Sequence, residues 1–591
     1  MTLVVQKFGG TSVGSLERIQ AVAKKIAASK ESGKDLIIVV SAMGDSTDEL
    51  TQLAKKLSPK APQRELDMLL ATGEQVSIAL LSIALNELGV SALAMTGPQV
   101  GIVTESSHGR ARILEIRTER IKNKISEGQV VVIAGFQGTS LGADGTAEIT
   151  TLGRGGSDTS AVALATAVDA DVCEIYTDVP GVLTTDPRKV ENAQLMETIS
   201  CDEMLELASL GAAVLHPRAV EIARNYGVKL VVKSSWTNDS GTTLTSTNRR
   251  ELGRDGLELG KPVDGLELVD NQAVIGLSHI PDKPGIAANL FEKLSEGGVN
   301  VDLIIQSTHA EKSNDITFTI SKEDLIKTQI LCKEYISKIG GKLSFQSDMT
   351  KLSIRGAGIM GRPGIAAKLF ETLSRGSINL RVIATSEVKV SCLIDAKFGS
   401  KALRVVGEAF DLNESQIQTN PNISGIGEPE VRGVAMDPYQ AQLSVCKVPH
   451  KPGTAASLFS ALADAGICVD AIVQSERTHL DGSRDISFTL KKEDRDKADQ
   501  ALAPLINQWD SSSIQEGAPI TRISAVGAGM PATAGTAGRM FRAIADSNIN
   551  IEMIATSEIR ISCLVRQNDG INALQAVHTA FKLGDKKVLS S

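Results

Sequence analysis

The sequence predicts an α/β protein at the front and a string of small mixed modules behind it. A mostly parallel sheet covered by helices on both faces is followed by four strand–helix–strand–strand–helix–strand units. Three observations carry this. Short apolar strands alternate with helical stretches through residues 1–245, the pattern of an α/β layer. A ten-residue phrase around a Pro-Gly turn then returns at Asp282, Gly361 and His450, with a worn fourth copy at Ala532. The copies alternate in kind: Gly285 and Gly453 lie 168 residues apart, Gly364 and Gly535 lie 171 apart. A two-unit block has been duplicated whole.

The front half reads in order as strands Leu3–Phe8, Leu36–Val40, Val130–Ala134, Val172–Thr177 and Lys229–Lys233. All are nearly continuous in apolar character, as strands buried on both faces are. Helical spacing covers Glu17–Ala28 and Glu74–Leu88. Residues 246–264 form a linker. The first module predicts strand Ala273–His279, helix Ile286–Ser295, strands Val301–Gln306 and Asp315–Ile320, helix Glu323–Ile339 and a last strand Lys342–Ser347, the split β-α-β-β-α-β motif. The modules divide at 265–347, 348–425, 440–518 and 519–591, with a second linker at 426–439 that is rich in Gly, Pro and acid.

Net charge −8 argues against a nucleic-acid partner, which needs a basic face. No apolar run nears the ~20 residues that cross a bilayer, so no membrane is expected, and the opening strand leaves no room for a signal peptide. The seven cysteines include no C-x-x-C pair. Cys392 and Cys563, 171 apart in matching Ser-Cys-Leu strands, read as packed thiols of a reducing cytosol. The seven histidines show no metal-ligand spacing.

Three loops carry chemistry. Lys7-Phe8-Gly9-Gly10 follows the first strand and precedes a helix, offering backbone N–H groups, a cation and a helix dipole to an anion. It is not a Walker loop, because the G-x-x-x-x-G-K-[ST] spacing is absent. Thr151 to Ala161 repeats the layout, with Arg154 among three glycines as a carboxylate or phosphate grip and Asp158 at a helix start. An N-cap is the plain alternative for Asp158. The third cluster runs from Tyr176 to Arg188. Ligands of open α/β sheets collect beyond the carboxyl ends of the strands, where all three loops fall. Gly356-Ala-Gly-Ile-Met-Gly361 looks like a dinucleotide fingerprint, but the acid expected about 20 residues on is missing, and the sister copies make it a module turn.

Together Lys-Phe-Gly-Gly-Thr-Ser, Gly-Arg-Gly-Gly-Ser-Asp-Thr-Ser-Ala and Tyr-Thr-Asp-Val-Pro-Gly resemble the signatures of aspartate kinases. The resemblance covers essentially the whole chain. It implies an amino-acid kinase (carbamate-kinase-like) αβα sandwich followed by four ferredoxin-like ACT domains. It implies transfer of the γ-phosphoryl group of ATP, with Mg²⁺ held mainly by ATP oxygens and water, to the side-chain carboxylate of L-aspartate. Lys7 and Asp158 become the catalytic pair. Ser41, Thr47, Glu74, Arg154 and Ser157 would contact aspartate, with Arg154 on a carboxylate and Glu74 on the ammonium. Lys7, Phe8, Gly9, Gly10, Thr177, Asp178, Leu183 and Arg188 would face ATP. Ala213 departs from the lysine that many relatives carry there. Another amino-acid kinase, or an inactive sensor, remains the alternative; the latter should have lost Lys7, Arg154 or Asp158.

The family resemblance makes lysine and threonine the expected effectors, acting in the first step of lysine, threonine and methionine biosynthesis. A homo-oligomer, a homodimer by preference, is expected. The first module offers Asp282, Lys283, Pro284, Gly285, Ile286, Ala287, Asn300, Val301, Asp302 and Gln306; the third offers His450, Gly453, Thr454, Ala455, Asp470 and Gln474. The Pro-Gly turn would present N–H groups to a carboxylate and the strand-borne acid would pair an ammonium. Asn379 and Asn550, from the second and fourth modules, would complete a pocket or pack the sheet.

Overall fold

The computed structural model describes residues 2–585 apart from 143–144, 212–213, 247–255, 310–312, 360–361, 363, 423, 452, 475–481 and 510–511, and without the side chains of 307–309 and 474. It divides into two compact units. The first takes Met1–Leu183, Leu195–Ala208 and Ala213–Lys261; the second takes Thr184–Gln194, Ser209–Ala212 and Pro262–Ser591.

In the first unit an eight-stranded sheet runs, edge to edge, Thr198–Ser200, Thr242–Thr245, Leu230–Ser234, Val172–Thr177, Leu3–Phe8, Asp35–Val40, Val130–Ala134 and Ala92–Met95. Its only antiparallel pairing among the described residues joins Leu230–Ser234 to Thr242–Thr245. The central strands are buried throughout because helices cover both faces, which explains their unbroken apolar runs. Helices Leu16–Glu31 and Thr72–Glu87 bury Ile19, Val22, Ile26, Ile78, Leu81 and Leu85 in one core with Leu36, Ile38 and Val40. A smaller sheet orders Ile113–Ile116, Ile102–Thr104, Gln137–Leu141 and Ala147–Thr151. The stretch Gln63–Glu87, which the sequence reading passed over, is long and apolar enough by length and composition to cross a membrane. Half of its apolar window is buried against the rest of the chain, and Asp67 and Glu74 are buried within it.

The second unit is built by threading. One strand, Gly265–Pro281, pairs through 265–269 with the end of Lys342–Arg355 and with Ile417–Thr419, and through 272–281 with Ser313–Ser321. The strand expected to stop at Ser347 runs on to Arg355, so the first module is an insertion within the second. The stretch 426–439 contributes strand Gly433–Asp437, paired with Ile520–Val526, and the third module sits inside the fourth in the same way.

The modules then pair crosswise. Helix Ile286–Glu296 of the first and Thr536–Asp546 of the fourth share one core, where Phe291 meets Phe318 and Phe541 edge-on at 5.4 and 5.5 Å. The second and third share another, where Phe370 and Phe459 lie 5.6 Å apart. Sheet edges join as well, Ile305 pairing with Ala555 and Gln306 with Ile554. On the opposite sheet faces Leu303, Val382, Ala471 and Met553 gather all four modules into a third core.

Candidate active site

Strands Leu3–Phe8, Asp35–Val40, Val130–Ala134 and Val172–Thr177 end together, and their following loops interlock by backbone bonds. Ser41 N donates to Phe8 O at 3.1 Å, Gly135 N to Val40 O at 3.0 Å, Gly44 N to Gly10 O at 3.1 Å and Gly9 N to Tyr176 O at 3.3 Å. A Cβ on Gly10 would stand 2.9 Å from Ala42 O and 3.0 Å from Gly44 O, so only glycine fits there. The Phe8 ring stacks on Tyr176 at 4.7 Å.

Lys7, next to last in its strand, holds Nζ 2.6 Å from Asp158 Oδ1, both side chains largely buried. Helix Gly156–Val168 begins after Gly155, whose left-handed φ of 72° and tight approach to His216 (2.4 Å from a built Cβ) require glycine. Asp158 is thus the third helical residue. It does not cap the helix, and its carboxylate is engaged by Lys7.

Glu74 is 2% exposed. Its Oε1 accepts from Ala42 N at 3.1 Å, while Oε2 is buried without a partner. Burial pushes its pKa up to about 7, the displacement expected of a carboxyl awaiting a counter-charge. Ser157 is buried against Gly135, whereas Thr47 sits half-buried in the first turn of helix Ser46–Leu57. Arg154 is the open element: its side chain is 92% exposed, and the nearest carboxylate, Asp48, is 3.8 Å away.

Thr177 Oγ1 donates to Asp178 Oδ1 at 3.1 Å, and Leu183 bridges to Leu195. Arg188 lies in the second unit, its guanidinium forked onto Asp186 at 2.9 and 3.0 Å. Ala213 lies outside the described residues.

The sequence reading missed Asp67. It is fully buried and accepts from Gly109 N (3.0 Å), from Thr151 Oγ1 (2.5 Å) and at 2.8 Å from His108 Nδ1. It thereby ties the helix before Glu74 to the loop before Arg154. An acid on the apolar face of a helical stretch was the available signal. Glu174 was missed too; it joins Gln6, Tyr176 and Lys233 beneath the site.

Among the described residues of the second unit, a recess lies at each crosswise pair. The first–fourth recess, about 280 Å³, is lined by Lys283, Pro284, Gly285, Ile286, Ala287, Gln306, Asn314 and Asn550. Asp282 Oδ1 accepts from Asn314 at 2.9 Å and from Asn550 at 2.8 Å; Gln306 donates to Ile551 O at 2.9 Å. Asn314 Oδ1 is buried without a partner. The second–third recess, about 440 Å³, is lined by Asn379, His450, Lys451, Gly453, Thr454, Ala455 and Arg484. Burial, then Arg484 and Arg381, lower the His450 pKa to about 4, so its ring is neutral. Asn379 and Asn550 therefore stand at the recesses.

The strand-borne acids do not. A bulge between Val301 and Ile304 turns Asp302 to the opposite face, where it pairs with Lys351. Lys351 also meets Glu558 at 3.1 Å, and Lys389 meets Glu558 at 2.7 Å and Glu267 at 2.5 Å. The matching bulge between Val469 and Ile472 sends Asp470 to Arg522 and Arg560. Asn300 and Val301 likewise line neither recess; Asn300, exposed at the strand start, reaches Pro531 O at 3.4 Å. The side chain of Gln474 lies outside the described residues.

Residues 2–234 match the amino acid kinase family, and an ACT domain matches at 273–334, 352–410, 446–504 and 523–581. The chain is 46% identical to the aspartokinase of Bacillus sp. (strain MGA3) over 420 residues, 71% of this chain and all of that relative. It is 46% identical to aspartokinase 2 of Bacillus subtilis (strain 168) over 415 residues, 70% and 99% of the two. The solved aspartate kinase from Synechocystis is similar over 99% of both chains, at 50% identity and a TM-score of 0.84.

Proposed function

Because the chain belongs to the aspartokinases, amino acid kinases that carry ACT domains, we propose that Lys7 and Asp158 form its phosphoryl-transfer centre and Glu74 and Arg154 its aspartate clamp. The reaction is the phosphorylation of the side-chain carboxylate of L-aspartate under feedback control by end-product amino acids, at the head of their biosynthesis. The observation that carries the site assignment is Glu74, a buried carboxyl with one oxygen unpaired beside the loops at the strand ends.

A carboxylate nucleophile is ionised at neutral pH, so this chain needs no general base. The obstacle is charge: an anion must approach a polyanion, and positioning with neutralisation does the work. Lys7, held by Asp158, neutralises the transferred group. The Gly9-Gly10 turn, closed to any side chain at Gly10, offers backbone N–H groups to phosphate oxygens. Glu74 takes the aspartate ammonium, Arg154 swings from solvent onto its α-carboxylate, and Ser41, Thr47 and Ser157 complete that side. Thr177, Asp178 and Leu183 serve the ATP side. Mg²⁺ carried mainly on ATP oxygens and water would supply charge neutralisation and alignment.

The two recesses are the effector sites in this reading. Helices Ile286–Glu296 and Thr454–Asp464 begin at them without a side-chain cap, and first-turn N–H groups would take an α-carboxylate. Asp282 in the first suits a cationic side chain, lysine; neutral His450 beside Arg484 in the second disfavours one and suits threonine. A homodimer belongs to this reading, supported by the exposed apolar Val76 and Ile83 on helix Thr72–Glu87. Coupled ADP release with aspartate, repeated with lysine, threonine and both, tests the whole. Absence of aspartate-dependent turnover would refute the activity, and unchanged rates with either amino acid would refute the effector sites.

A further inference from the structure

The chain leaves the first unit after Leu183 and re-enters it at Leu195, and the residues between belong to the second unit. This excursion is closed on itself: Thr184 N donates to Gln194 O at 2.9 Å and Gln194 N to Thr184 Oγ1 at 3.0 Å. It is also fastened to the fourth module. Val434 N donates to Thr184 O at 2.8 Å, Thr184 Oγ1 lies 3.0 Å from His578 Nε2, and Gln575 Nε2 donates to Lys189 O at 2.9 Å. Val190 is buried in the core that holds Val434, Leu574 and Phe581. Thr184 and His578 are both fully buried. A buried imidazole that loses this hydroxyl keeps Nε2 without its partner, so the fastening is specific as well as apolar.

Immediately before the excursion lies Thr177–Leu183, the loop read above as the ATP side. Only Val182, Pro180-Gly181 and their neighbours separate strand end from fastening, and Val182 N is itself held by Thr242 Oγ1 at 2.9 Å. A segment this short transmits the position of its end. We propose that Thr184 and His578, with Gln575 on Lys189 O, are positioning residues by which the fourth module sets the loop Thr177–Leu183. The proposal rests on that loop serving the nucleotide.

The test uses the full chain with Thr184→Val, Gln575→Ala and the double variant, and Thr184→Ser as the conservative control. Gln575 is exposed, so its variant folds regardless of how Thr184→Val behaves. The double variant should raise the ATP KM by roughly five- to tenfold, the effect of losing one or two hydrogen bonds. Aspartate KM should stay within about twofold, with Thr184→Ser close to the parent. A rise confined to aspartate KM would keep the anchor and overturn the nucleotide assignment of the loop. An unchanged ATP KM in the double variant, or both KM values and Tm moving together, would overturn the proposal.

Discussion

The proposed aspartate clamp and the buried networks of the second unit treat charge in opposite ways. In the first unit Glu74 keeps a buried oxygen without a partner and Arg154 stands in solvent, 3.8 Å from its nearest acid. In the second, buried charges are enclosed by others: Asp302, Glu558 and Glu267 surround Lys351 and Lys389, and Asp470 lies between Arg522 and Arg560. Burial would pull Lys351 down, yet its two carboxylates hold it charged above the usual lysine range. An ionisable group left incomplete in a cleft marks a place for a ligand. A completed network marks architecture. The contrast teaches that charge alone does not identify a site; the missing partner does.

The strongest way to sharpen this is Lys7→Ala. Removal of a cation that meets the transferring group should lower kcat by about a thousandfold or more, in line with electrostatic losses at such centres, while lysine and threonine still bind by calorimetry. Near-parental kcat would end the catalytic assignment. Next comes Arg522→Met, which leaves Asp470 and Asp437 short of a buried partner; Arg522 is 2% exposed and 3.2 Å from Asp437. A loss of about 3 kcal/mol in urea unfolding, with the KM for aspartate intact, is expected.

Glu74 supplies a pH signature. Its folded pKa of about 7 stands above the unfolded value of 4.5, so the folded state holds the extra proton between those values. Stability is therefore full below about pH 4.5 and falls as pH rises through 7, by up to about 3 kcal/mol for this group. Glu74→Gln should flatten that slope in the ligand-free protein and weaken aspartate binding. A slope unchanged in the variant would place the titration elsewhere. The smallest effect concerns the recesses: Asp282→Asn should cut lysine affinity by about tenfold, the worth of one charge-assisted bond, and leave threonine affinity untouched, as two calorimetric titrations would show.

Much of this was legible in the residues. Continuous apolar strands fixed the parallel sheet, and the loops through which Lys7 and Asp158 meet were readable because each holds a glycine-rich turn at a strand end. What stayed hidden has one physical root, register. Period-two reading places Asp302 and Gln306 on one face, and a single bulge between Val301 and Ile304 separates them. The crosswise pairing depends on helix faces such as Phe291 and Phe541 meeting across 250 residues of chain, which no local pattern encodes. Strand Gly433–Asp437 is short and lies in loop-like composition, so only its partner Ile520–Val526 reveals it.

The threading of the second unit makes the modules host and guest. Val269 and Lys351 face each other directly, and so do Asp437 and Arg522. A cut between the first two modules at 347/348 would sever a strand that both share and bare a raw sheet edge, the kind that recruits other chains. Removal of a guest by joining the chain across either facing pair would instead leave a hairpin in an intact host sheet. For anyone dividing this protein into pieces, the seams run across the sheet, not along the sequence.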